Sequence, residues 1–163
     1  MIPDFGKVSP LAQMRGETTK ETEELKQMHR EASEFLSSFQ WCVGIEESYF
    51  GIGIPAVVAV FLFNIRPAKK NVDDWLWVVV GDLPPAYLVT DDAPNPAAAL
   101  DAYISEMNRW VKAAKSGKSV DDVIPVNVEP TVANAEQLES RLNFLRDKYL
   151  CYYKDELRES GSA

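Results

Sequence analysis

Two apolar runs, at 56–65 and 75–80, limit the folds open to this chain of 163 residues more than any other feature. Ala56-Val57-Val58-Ala59-Val60-Phe61-Leu62-Phe63-Asn64-Ile65 is apolar on both alternations for most of its length, and Trp75-Leu76-Trp77-Val78-Val79-Val80 behaves likewise. A strand of that kind has no solvent face. It belongs inside a sheet and covered on both sides for much of its length. The run from Phe50 to Ile65 is shorter than the ~20 residues of a spanning helix and holds Gly51, Gly53, Pro55 and Asn64, so it reads as buried strand.

Further strands are predicted over 45–52 and 86–90, both rich in β-branched or aromatic residues. Arg66-Pro67-Ala68-Lys69-Lys70-Asn71 and Gly81-Asp82-Leu83-Pro84-Pro85 are turn-forming breaks. Connections this short favour antiparallel hairpins, and a four-stranded meander is the simplest topology. Gly51-Ile52-Gly53 marks a bend or bulge, since it precedes a strand and lacks the third glycine of a dinucleotide fingerprint.

Helices flank this block. Thr18 and Glu21 match a capping box, and Leu25, Met28, Ala32, Phe35, Leu36 and Phe39 recur at helical spacing. Asn95 as N-cap with Pro96 at the first helical position opens a second helix, lined by Leu100, Tyr103, Ile104, Met107, Trp110, Val111 and Ala114 and closed at Gly117. Ser119 is placed to cap one further turn through Val123. Residues 125–130 run extended under the constraint of Pro125 and Pro130. Thr131 then caps a long last helix with the stripe Ala135, Leu138, Leu142, Leu145, Tyr149 and Tyr152, fraying from Glu156. Strands grouped between helices indicate an α+β domain over 18–157, preceded by an arm at 1–17 and followed by a frayed tail at 158–163.

The net charge of −8 and pI near 4.7 disfavour nucleic acid, whose binding needs a Lys/Arg surface, and suit a basic protein partner. Residues 1–7 carry a proline, an acid and a glycine where a signal peptide needs an apolar stretch, which points to the cytoplasm and away from membranes. Cys42 and Cys151 stand apart with no C-x-x-C partner, so free thiols are expected, with no zinc site and no cofactor.

Catalytic signals are absent. The only histidine, His29, lies at the edge of the first helix's apolar stripe without a distinctive nucleophile, and about 20 Å along a helix would separate it from Cys42. Asp73-Asp74, Asp91-Asp92 and Asp121-Asp122 do not follow calcium-loop spacing.

Acidic residues are nonetheless concentrated in 36–95, where Glu46, Glu47, Asp73, Asp74, Asp82, Asp91 and Asp92 outnumber Arg66, Lys69 and Lys70. A meander places them mainly at strand ends and in loops, where they form a candidate negative rim for a cationic protein. The string Gly81-Asp82-Leu83-Pro84-Pro85-Ala86-Tyr87 reads as a rigid turn that offers Leu83 and Tyr87 as anchors.

The Val80-to-Tyr87 string, the Asn95-Pro96 helix with Tyr103, Met107 and Trp110, and the Pro125-to-Thr131 linker together resemble the organisation of small bacterial α+β proteins of the toxin-immunity type. The likeness spans about residues 40–150. It implies a cytosolic protein that neutralises a cognate toxin by occluding it. A small hydrolase or transferase using carboxylates and a homodimeric adaptor are the alternatives.

Overall fold

The computed structural model describes residues 3–91 and 93–159. Its centre is a five-stranded antiparallel sheet in the order β1-β2-β3-β4-β5, with β1 at Ser9–Pro10, β2 at Cys42–Ile54, β3 at Val58–Pro67, β4 at Trp75–Gly81 and β5 at Ala86–Val89. The expected meander is present. Its fifth strand is the short β1 from the N-terminal arm, which pairs with Tyr49 and Phe50 of β2. β3 and β4 are the interior strands, and the residues from Val58 to Phe63 and from Leu76 to Val80 are buried. β3 starts two residues later than its apolar run because residues 54–57 form a turn. In it Val57 N–H donates to the Ile54 carbonyl, Pro55 fixes one central position and Ala56 takes a φ of 66°.

Helix α1 (Thr19–Ser37) covers one face of the sheet. Leu25, Met28, Ala32 and Leu36 pack on Phe61, Phe63, Leu76, Val78 and Val80. Its cap is the expected one, with Thr18 Oγ1 accepting from the Glu21 N–H. Helix α2 (Pro96–Lys115) covers the opposite face, setting Leu100, Tyr103, Met107 and Trp110 against Val58, Val60, Leu62, Trp77 and Val79. Helix α3 (Val132–Phe144) lies beside α2 and adds Ala135, Leu138 and Leu142 to the same core. The two alternations of β3 thus feed two separate cores, the physical reason its sequence shows no polar face.

The glycine signal in β2 proves structural. The β2–β3 register shifts between Phe50 and Ile52, a bulge, and a Cβ on Gly51 would come 2.6 Å from Pro96 Cβ. Gly51 therefore lets α2 begin directly against the sheet.

Three local expectations are corrected. Residues 119–123 are irregular, with a turn at 121–122 and Ser119 Oγ accepting from the Asp121 N–H, instead of a helical turn. The last helix is not continuous: α3 passes into a π turn over Leu145–Tyr149 and a 3-10 turn over Leu150–Tyr153 before α4 (Lys154–Glu159). The wider turn shifts the helical phase. Leu150 is buried, whereas Tyr152, placed in the core stripe by extrapolation, is 80% exposed. Helix α4 also extends through part of the stretch expected to fray, and the remaining tail residues, 160–163, lie outside the described residues.

The arm lies over the domain. Met14 is buried in the α1 core, and Phe5 meets Tyr49 and Trp75 edge-on with centroids at 5.5 and 5.2 Å.

Candidate binding surface at the β5 margin

Sheet order separates the acidic residues into two groups. β2 begins, β3 ends, β4 begins and β5 ends at the same end of the sheet, so Glu46, Glu47, Asp73, Asp74 and Asp91 share that end. Asp82 follows the last residue of β4 and lies at the opposite end. Asp92 is outside the described residues. Glu46 accepts from Arg66 at 2.8 Å and Asp82 from Arg141 at 3.2 Å, both exposed. Among the described residues no group of three His, Cys, Asp or Glu side chains is placed to hold a metal ion.

The 81–87 turn lies at the end of the sheet where β4 ends and β5 begins. Gly81 takes a φ of +145°, and the Asp82 N–H donates to the Val57 carbonyl, locking the turn against the β2–β3 connection. Tyr103, buried in α2, donates its hydroxyl to the Pro84 carbonyl at 2.6 Å. Burial holds the Tyr103 phenol well above its ordinary pKa, so it stays a neutral donor. The turn is therefore anchored from both sides, and Pro84 and Pro85 stiffen what lies between.

From this turn the surface opens into adjoining hollows. The largest, about 680 Å³, lies between Phe35 of α1 and Phe39 just beyond it, Pro85 and Tyr87, and Trp110 with Ile124 and Val126 of the inter-helix segment. A second, about 410 Å³, is bordered by Asp82, Leu83, Pro84 and Arg141. A third, about 240 Å³, runs from Glu31 and Glu34 to Leu83. The fourth, about 310 Å³, lies on the α1 side of β5 between Trp41, Tyr87 and Asp73. Tyr87 borders two of the four and Leu83 another two.

Tyr87 is 39% exposed and belongs to an aromatic group. Its ring meets Trp41 at 5.0 Å and Phe39 at 5.4 Å, while Phe39 stacks on Trp41 at 4.8 Å. Val89 beside it is 41% exposed. β5 is the last strand of the sheet, so this apolar margin has no neighbouring strand to cover it.

The charge around these four hollows is one-sided. Glu31, Glu34, Asp73, Asp82 and Asp121 line them, against Arg141, which is paired with Asp82. Two of these acids, Asp73 and Asp82, belong to the rim read from the sequence. Of the remaining lining residues, Phe35 and Phe39 belong to the apolar stripe read from the sequence, while Glu31, Glu34, Trp41 and Asp121 come to the surface through the fold.

His29 has a partner that sequence spacing did not disclose, Ser48 of β2. Its Nε2 shares a 3.0 Å hydrogen bond with Ser48 Oγ, and its ring stacks on Phe63 and meets Phe61 edge-on. Burial, and then the Arg30 charge, hold its pKa below the ordinary value. Neither residue lines the hollows described above, and among the described residues no carboxylate orients the ring in the manner of a catalytic base. The pair tethers α1 to the sheet. Both cysteines are free, Cys42 buried, with its thiol pKa raised by burial, and Cys151 exposed.

No helix among the described residues is long and apolar enough to cross a membrane. Comparison with protein-family models, with curated proteins and with solved structures returns no match.

Proposed function

We propose that this chain is a cytosolic protein-binding module that seats a cationic partner protein on the β5 margin, in the manner of an inhibitor or immunity protein that occludes a bacterial toxin. One observation carries the reading: a rigid, doubly anchored turn at 81–87 is surrounded by apolar hollows whose charged lining is almost wholly acidic. Tyr87, exposed and held by the part-buried Phe39 and Trp41, supplies contact area at low entropic cost, and the acidic fringe speeds encounter with a basic surface. Glu47 and Asp74, at the same end of the sheet as Asp73, add to that field.

The test is capture of the neighbouring gene's product by the full chain, followed by association kinetics. Reversal of Glu34, Asp73 and Asp121 to Lys should slow the on-rate on the order of tenfold at low ionic strength, and added salt should bring the wild type towards the variant. Reversal of Glu17, Glu24 and Glu159, away from the hollows, should have a much smaller effect. A partner whose on-rate ignores both salt and these reversals removes the electrostatic part of the proposal. Turnover of a small substrate with no protein partner removes the binding role.

A further inference from the structure

We infer that the hollow lined by Trp41, Tyr87 and Asp73 receives an arginine side chain of the partner. The inference rests on the binding role proposed above and names what one part of the surface recognises. The hollow measures about 310 Å³, room for a guanidinium and the end of its stem, and is lined by Trp41 and Tyr87, whose rings meet edge-on at 5.0 Å, together with Leu76 and Val89. At its polar side stand Asp73 and Asn71, from the β3–β4 loop. Asp73 is exposed and forms no ion pair among the described residues. Among the described residues no Lys or Arg lines the hollow, although Lys69 and Lys70 belong to the same loop.

Aromatic walls beside an unneutralised carboxylate favour a planar cation over a neutral or anionic group. A guanidinium stacks on or against rings while its N–H fork meets carboxylate oxygens, whereas a strongly hydrated ammonium gains less from the rings. The walls are preorganised. Phe39 stacks on Trp41 with centroids at 4.8 Å and planes 20° apart, and Tyr87 meets both rings, so neither wall has to be ordered when the ligand enters. The net charge of −8 adds long-range attraction for a cation and none for an anion.

The probe is the blocked tripeptide acetyl-Gly-Arg-Gly-amide, set against its citrulline counterpart, which keeps shape and hydrogen bonding but not charge. Each is titrated into the full chain while the indole N–H resonance of Trp41, assigned by its loss in Trp41→Phe, is followed by NMR. The arginine peptide should move that resonance saturably. The citrulline peptide should move it far less, and Asp73→Asn should weaken the arginine peptide by about threefold, the size expected of an exposed charge pair. Equal movement by both peptides overturns the inference, and so does an indole that does not respond to arginine. The titration needs no natural partner, so its outcome stands apart from capture of one. A partner that binds wild type, Trp41→Phe and Asp73→Asn with the same off-rate leaves the binding role intact and removes the arginine hollow.

Discussion

Buried polar side chains in this protein are structural fasteners. Asn95 is fully buried, accepts from the Ala98 N–H through Oδ1 and donates through Nδ2 to the Glu156 carbonyl, so one side chain caps α2 and ties α4 to it. Trp77 donates from its indole to the Ala93 carbonyl at 2.8 Å and holds the approach to that cap. His29 is the residue whose chemistry reaches the pH scale. Its pKa in the folded chain lies below the value near 6.5 of the unfolded chain. Between those two values the unfolded chain binds the extra proton. Its contribution to stability is therefore complete above pH 6.5 and declines as pH falls through that value towards the folded pKa. Replacing His29 with Phe should flatten this part of the profile. Denaturant unfolding of both proteins from about pH 8 down to about pH 5 measures it; parallel profiles would remove His29 as their cause.

Two elements show how single positions govern register. Gly81 ends β4 at a φ of +145°, and a Cβ there would stand 2.2 Å from the Val57 carbonyl oxygen, the same oxygen that accepts from Asp82. Gly81→Ala combines backbone strain with a lost hydrogen bond and should cost about 2–4 kcal/mol in chemical denaturation. The same substitution should loosen the 81–87 turn, visible as faster amide exchange at Asp82. In α3, Leu142 is fully buried, so Leu142→Ala should cost about 2–5 kcal/mol. Glu139, half-buried and paired with Lys115 at 3.0 Å on the surface, should tolerate Ala within about 1 kcal/mol. Equal costs at the two positions would contradict the phase of α3. Beyond Phe144 that phase no longer applies, because the π turn rotates the chain so that Leu150 replaces Tyr152 as the inward residue.

At the scale of the whole molecule, one sheet carries two hydrophobic cores, with α1 on one side and α2 with α3 on the other. A chain of this length buries enough apolar surface to fold without covalent staples. The melting temperature should therefore be unchanged by reductant and by chelator; a marked fall with either would show a crosslink or metal contributing to the fold. The three layers meet at the β5 margin, where the end of α1, the inter-helix segment and the last strand leave the hollows between them. A binding surface at the junction of layers inherits its shape from all three, so its geometry is as rigid as the cores beneath it.

Caps, strand order and fold class were legible in the sequence because their causes are local. Thr18, Asn95 with Pro96, and Thr131 each act on backbone groups within a few residues, and the double-sided apolar runs of β3 and β4 declare interior strands without reference to anything distant. The candidate surface was only partly legible. Leu83, Tyr87, Asp73 and Asp82 were visible as residues of a turn and a rim. Glu31, Glu34, Phe35, Phe39, Trp41 and Asp121 join them only because α1 settles on one face of the sheet and the inter-helix segment on the other. The sequence determined that both faces of β3 must be covered. Which helix covers which face, and so which side chains border the open strand, was decided by tertiary packing: both faces are similarly apolar, and the choice between them depends on contacts between residues far apart in the chain.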